Sequence, residues 1–189
     1  MVKHNIKNYI TTIILIAILT FLACCMLELS IWDSISYSIS ITSILVVGFV
    51  KFAWKWKIFR GWLVPFPDLN GYWDGIIKST YKNACSEIPI KLKIKQTFLH
   101  IQIRFQSKES KSNSIVAAFN IDEDRGIVQL CYSYQNDPKA TLQKKSPIHY
   151  GSVILDINED NNSMNGQYWT TRNTTGEMYL GKQIKFGNN

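Results

Sequence analysis

Ile88-Pro-Ile-Lys-Leu-Lys-Ile-Lys95, followed after two residues by Phe98-Leu-His-Ile-Gln-Ile-Arg-Phe-Gln-Ser107, decides the fold of most of this chain. Ile90, Leu92 and Ile94 fall on one side of an extended backbone, and Lys91, Lys93 and Lys95 on the other. In the next segment Leu99, Ile101, Ile103 and Phe105 oppose His100, Gln102 and Arg104. A period of two is the strand signature. Strands with one wet face must bury the other.

The same alternation runs outward from this pair. Eight strands are expected near Gly71–Tyr81, Ile88–Lys95, Phe98–Ser107, Ser114–Ile121, Gly126–Tyr134, Ile148–Ile157, Met164–Thr171 and Glu177–Phe186. Turn signals separate them at Lys108–Asn113, Asp122–Gly126, Asn136–Pro138, Glu159–Asn162 and Arg172–Gly176. Eight short antiparallel strands bury one face and lose their edges by closing into a small barrel. A two-sheet sandwich is the alternative. So small a barrel fills with its own side chains, with Trp73, Leu130, Tyr132, Val153 and Leu155 as core candidates. A ligand would then sit at a barrel mouth, in an outer groove or between barrels.

The first 60 residues are of another kind. Asn8–Leu27 is a run of 20 residues without a charge, and Ser34–Val50 another of 17. Crossing a hydrocarbon core of about 30 Å takes roughly 20 helical residues. The second run reaches that length with Lys51 snorkelling and Phe52–Trp54 counted. Against a cleaved signal peptide stand the length of the first apolar stretch and Cys24-Cys-Met-Leu-Glu28, which is no small-x-small cleavage site. The division expected is an anchor over residues 1–58, a linker over 59–67 with Gly61, Pro65 and Pro67, and a barrel domain over 68–189. Lys3 and Lys7 lie before the first span, and Lys51, Lys55, Lys57 and Arg60 after the second, while the loop around Glu28–Asp33 has no basic residue. Basic residues stay on the cytoplasmic side, so both termini and the barrel are expected in the cytoplasm of a multi-pass inner-membrane protein. Tyr9, Trp32, Tyr37, Trp54 and Trp56 stand at headgroup level. Ser36, Ser40 and Ser43 stack on one face of the second helix, a pattern that lets transmembrane helices approach closely.

The formal charge of +7 overstates the basicity of the domain, because from Gly61 onward there are 15 basic and 12 acidic residues. That balance argues against a duplex nucleic-acid binder. Four cysteines without a Cys-x-x-Cys give neither a disulfide framework nor a zinc site. His4, His100 and His149 stand apart from any hydrolase, zinc or phosphate-loop motif. Asp122-Glu-Asp-Arg-Gly126 reads as a hairpin turn rather than a metal site. No catalytic residue, metal ligand or cofactor is therefore expected.

The densest polar stretch is Gly166-Gln-Tyr-Trp-Thr-Thr-Arg-Asn-Thr-Thr-Gly176. Aromatic faces stack bases and an arginine forks onto phosphate. Equally, Tyr168 can be core and Thr-rich turns are common. Tyr132-Ser-Tyr-Gln-Asn136 has the same double character.

Taken in order behind the two-helix anchor, Pro67-Asp-Leu-Asn-Gly-Tyr-Trp-Asp-Gly75, Ile94-Lys-Gln-Thr-Phe98, Tyr132–Asn136, His149-Tyr-Gly151 and Gly166–Gly176 resemble the CBASS antiphage effectors of the CD-NTase-associated type. These join two transmembrane helices to a minimal β-barrel. The resemblance implies an effector that senses a cyclic di- or oligonucleotide, assembles into a homo-oligomer and disrupts the membrane, killing the infected cell. It would contact ligand through Arg172 on phosphate and Trp169, Tyr134 or both on bases, with hydroxyls from Thr171 and Thr174 and with Arg104 as a weaker candidate. Three other readings remain. Gly71-Tyr-Trp73 copies the opening of lipocalin-like barrels, which suggests a membrane-anchored lipid or small-molecule binder. The barrel could also carry an enzyme, or be a scaffold for a protein partner.

Overall fold

The computed structural model describes residues 3–80, 86–107, 110–122, 124–138 and 147–183. Cys85, Glu123, residues 108–109 and the outer ends of the first and last expected strands lie outside the described residues. The chain forms two compact units, Met1–Pro67 with Thr97–Leu99, and Asp68–Gln96 with His100–Asn189.

The first unit is a helical hairpin. Helix α1 spans Lys3–Met26 and α2 spans Ile31–Lys51. Both are long and apolar enough to cross a membrane. Ser30 caps α2, its hydroxyl accepting from the Asp33 backbone N–H. The serine face turned towards α1 is Ser34, Ser38 and Thr42. There the Ser38 hydroxyl donates to the Ala17 carbonyl at 2.7 Å and lies 2.9 Å from Thr20 Oγ1. Ser36, Ser40 and Ser43 lie on the opposite face of α2, and each hydroxyl donates to its own helix, to the carbonyls of Trp32, Ser36 and Ile39. The two stripes divide the work: one closes the hairpin and the other stays outward. After α2, two 3-10 turns (Ala53–Lys55 and Lys57–Phe59) lead into a cluster of rings. Phe98 sits in it edge-on to Tyr9 and Phe49, with Phe66 5.8 Å away.

The second unit is a closed antiparallel barrel in which each strand pairs with the next and β8 returns to β1. The strands are β1 Gly71–Ser79, β2 Ser86–Gln96, β3 Ile101–Gln106, β4 Ser110–Asp122, β5 Ile127–Pro138, β6 His149–Ile157, β7 Ser163–Thr170 and β8 Thr175–Lys182. The barrel, not the sandwich, is the solution adopted. Trp73, Leu92, Leu130 and Leu155 are fully buried in its centre, with Tyr132 and Val153 beside them. The interior is filled, which among the described residues leaves no lipocalin-type cavity. The entry end is plugged by Leu69 and Trp73. The Trp73 indole donates to the Leu69 carbonyl at 3.0 Å, and the Leu69 N–H to Gln96 Oε1 at 2.8 Å.

The strand limits differ from the sequence reading most at β3, β4 and β5. Phe98–His100 is not strand, and Leu99, which the alternation placed inside, is exposed. Strands β4 and β5 run longer than expected, pairing Ser110 with Pro138 through segments that looked like turns. A bulge between Ser114 and Val116 shifts the register and leaves two adjacent apolar residues, Ile115 and Val116, outside.

Candidate functional site

The two ends of the barrel differ in chemistry. The entry end is closed by Leu69 and Trp73, with the buried Gln96 hydrogen-bonded to Leu69. The opposite end gathers the starts of β4, β6 and β8 and the ends of β1, β3, β5 and β7. Its inward positions are Ser79, Ser112, Tyr134, Asn136, Gly151 and Tyr168. Ser79, Ser112 and Asn136 are buried, though none is apolar. The Tyr168 hydroxyl donates to Ser79 Oγ at 2.7 Å. Neither the Ser112 hydroxyl nor the Asn136 amide has a hydrogen-bond partner among the described residues. Among the described residues the fully enclosed unpartnered hydroxyls are those of Ser34 and Thr42, so the Ser112 and Asn136 polar atoms stay open at this mouth to solvent or a polar ligand.

Tyr134 occupies the middle of this mouth. Its ring lies 6.1 Å from that of Tyr132. It also packs against Gly151, where a Cβ would come within 2.5 Å of the tyrosine Cζ and Oη. Only glycine lets the ring take that place. Burial pushes the Tyr134 hydroxyl up to about 12, with Tyr168 adding to the shift. It is therefore a neutral hydrogen-bonding group at physiological pH. Tyr132 and Tyr168 are raised as well, chiefly by burial.

The turn joining β7 to β8 forms the rim. Thr170 Oγ1 and Thr174 Oγ1 are 2.7 Å apart, and the Arg172 N–H donates to Thr170 Oγ1 at 3.2 Å. Thr171 is tied to β6, its N–H donating to the Tyr150 carbonyl at 2.9 Å. Asn173 takes the positive φ of 56° that the tight turn needs. Arg172 is half-buried at this rim.

The structure brings some of the expected residues together and separates others. Tyr134, Arg172, Thr171 and Thr174 meet at one end of the barrel, because Gly151 pairs with both Tyr134 and Thr170. Trp169 points out through the wall and is 44% exposed, whereas its neighbour Tyr168 points in. It lines an outer groove of about 320 Å³ with Asp156, Glu177 and Tyr179. Arg104 lies on the outer face of β3, its Nε donating to Asn113 Oδ1 at 3.2 Å. That is four strands around from β7. Ser79 and Ser112 were not singled out from the sequence, and Asn136 only as the end of the Tyr132–Asn136 stretch. For Asn136 the signal was present: it continues the inward phase of Tyr132 and Tyr134.

Among the described residues the mouth offers aromatic faces, hydroxyls and an amide, with the Arg172 turn at its rim, a set suited to base edges and phosphate. Among the described residues no cluster of His, Cys, Asp or Glu could hold a metal ion. His149 contacts the Pro147 carbonyl rather than a nucleophile.

The parts are two helices long and apolar enough to cross a membrane and a filled barrel with one polar, aromatic mouth, a combination that fits a ligand receptor. Residues 64–182 match the family model described as "Cap15, cyclic dinucleotide receptor domain", and the chain belongs to that family. It is similar to CD-NTase-associated protein 15 of Staphylococcus schleiferi, 35% identical over 171 residues covering 90% of this chain and 91% of that one. Proteins of the same name from Escherichia albertii and Yersinia aleksiciae are 27% and 31% identical, covering 97% and 72% of this chain and 95% and 64% of theirs.

Proposed function

We propose that this chain is the membrane effector of a CBASS antiphage system, and that its barrel senses a cyclic dinucleotide or a longer cyclic oligonucleotide at the polar mouth. The observation that carries the reading is that mouth: the open polar atoms of Ser112 and Asn136 beside Tyr134, with the Arg172 turn at the rim. Membership of a cyclic dinucleotide receptor family supports the ligand class. Arg172 takes phosphate, Tyr134 stacks a base, and Thr171 and Thr174 supply hydroxyls from the rim. Trp169 reaches the ligand only over the edge of the wall, and Arg104 is remote from it.

The basic residues at both ends of the hairpin, with none in its loop, support a barrel in the cytoplasm, where such a nucleotide is made. Binding drives homo-oligomerisation, and the outward Ser36, Ser40 and Ser43 stripe lets α2 pack closely against a neighbour in lipid. The gathered helices breach the inner membrane. The protein acts as a receptor without catalysis of its own. The test is the full chain reconstituted in dye-loaded vesicles. A cyclic dinucleotide should release the dye, and linear dinucleotides of the same bases should not. Dye retained under saturating ligand would reject the membrane-breaching step.

A further inference from the structure

The barrel is electrically two-sided. On the outer face of β2 and β3, Lys91, Lys93, Lys95 and Arg104 stand together, with Lys111 next on β4. The ladder sets Lys93 directly opposite Arg104. Like charges facing each other across a ladder destabilise a sheet. Among the described residues, none of these five cations is in an ion pair. Lys93 lies over the Tyr72 ring at 4.8 Å and Arg104 holds Asn113.

Strand β7 is four places from β3 in a ring of eight, so the far side of the barrel centres on it. On β5 to β8 no outward position carries Lys or Arg, but Asp137, Asp156 and Glu177 do point out. Asp156 and Glu177 wall the outer groove, with Trp169 and Tyr179 between and beside them. Gly166 also lines the groove, and a Cβ there would lie 2.0 Å from the Ile154 carbonyl oxygen, so β6 and β7 approach more closely here than a side chain allows. Asp156 accepts from Gln129 at 2.8 Å and Glu177 from the Tyr179 hydroxyl at 2.6 Å, which fixes both carboxylates while leaving acceptor capacity. Lys78 faces Glu177 in the ladder, and its ammonium lies 3.5 Å from Glu87 and 5.5 Å from the centre of the Tyr179 ring, at the edge of the groove.

We propose that these faces dock on each other between copies of this chain: the Lys91, Lys93 and Lys95 stripe of one barrel enters the Asp156 and Glu177 groove of the next. Charge complementarity selects this occupant. Ammonium groups meet two oriented carboxylates and the Trp169 face, and the Lys93–Arg104 repulsion is relieved by the contact. An anionic nucleotide is repelled from that groove. The faces are on opposite sides, so the contact is heterologous, and each added copy presents a fresh face to the next. The assembly grows as a row. This rests on the oligomerisation in the proposed function and gives it a direction.

The experiment is sedimentation of the full chain in detergent with a cyclic dinucleotide, alongside ligand titration and melting of each variant. Lys91→Glu/Lys93→Glu and Asp156→Lys/Glu177→Lys should each stay small alone, and an equimolar mixture should regain large species. Raising salt should shrink the wild-type assembly. If either double variant assembles alone as wild type does, the docking is overturned. Loss confined to the lysine variant means an anionic partner such as lipid, and also overturns it. Folded variants that bind ligand normally but do not rescue each other overturn the docking while the receptor reading stands. A wild-type chain that binds no cyclic dinucleotide fails that reading instead, and the mixing result without ligand still decides the docking.

Discussion

Replacing Trp73 tests whether the barrel is closed by its own plug. Trp73 is 0% exposed, and Leu69, also 0% exposed, sits against it. Every member of the core cluster belongs to the second unit, so residues 68–189 carry their own core. Trp73→Ala removes a buried indole and leaves a cavity, at a cost of about 3–5 kcal/mol. It also strips the Leu69 carbonyl of its donor. Trp73→Phe keeps much of the volume but orphans the same carbonyl, at about 1–3 kcal/mol. With an unfolding entropy of roughly 2.1 cal/mol/K per residue, a domain of this size shifts by about 4 °C per kcal/mol. Trp73→Ala should therefore lower Tm by ~12–20 °C, and Trp73→Phe by ~4–12 °C. Trp169→Phe, on the outer wall, should change it little. The assay is thermal unfolding of residues 68–189 followed by circular dichroism, whose starting spectrum should be that of β-structure. An unchanged Tm for Trp73→Ala would refute the plug, and equal losses for Trp73→Phe and Trp169→Phe would refute the hydrogen-bond part of the argument.

Arg172→Ala should weaken cyclic-nucleotide binding at least tenfold, since about 1.4 kcal/mol is one decade. Arg172→Lys should recover only part of this, for want of a planar fork; wild-type affinity in folded Arg172→Ala would remove Arg172 from the site. Leucine at 36, 40 and 43 should reduce cross-linking in membranes while ligand binding persists, whereas Ser38→Ala should loosen the hairpin by about 0.6–2 kcal/mol. Equal effects of the two on cross-linking would contradict the division between stripes. Tyr134 is raised to about 12, so its contribution to stability is whole below about pH 10 and is lost as pH climbs towards 12, at about 1.4 kcal/mol per pH unit. Alkaline unfolding should coincide with tyrosinate absorbance and start later in Tyr134→Phe. A titration in which tyrosinate forms without unfolding would show these rings to be exposed.

Much of this architecture could be read from residue order because period-two alternation is set by the pleat. Ile90, Leu92 and Ile94 can only share a face, and they do. What alternation could not show is where a strand stops. Asn136-Asp-Pro138 carries turn residues but lies in β5, because its ladder with β4 continues to Ser110. That extension carries Asn136 into the mouth. Phe98 is in phase with nothing in β3, because its ring belongs to the aromatic cluster of the first unit. The Gly166–Gly176 stretch drew attention for its composition, yet alternation sends Tyr168 and Trp169 to opposite sides of the wall. Its density of aromatics therefore splits between an inner site and an outer groove. Ser36, Ser40 and Ser43 were visible as a stripe, while the hairpin contact through Ser34, Ser38 and Thr42 depended on which face α1 covers.

The central claim is that the mouth around Tyr134 receives a cyclic nucleotide, and Gly151→Ala tests it most directly. A methyl there would come 2.5 Å from the Tyr134 ring and must displace it. Calorimetry of the purified chain against a panel of cyclic di- and oligonucleotides should find a ligand for wild type. The same ligand should bind Gly151→Ala at least tenfold more weakly while the barrel still melts cooperatively. Wild-type affinity in a folded Gly151→Ala barrel, or a panel with no ligand for the wild type, would contradict the account.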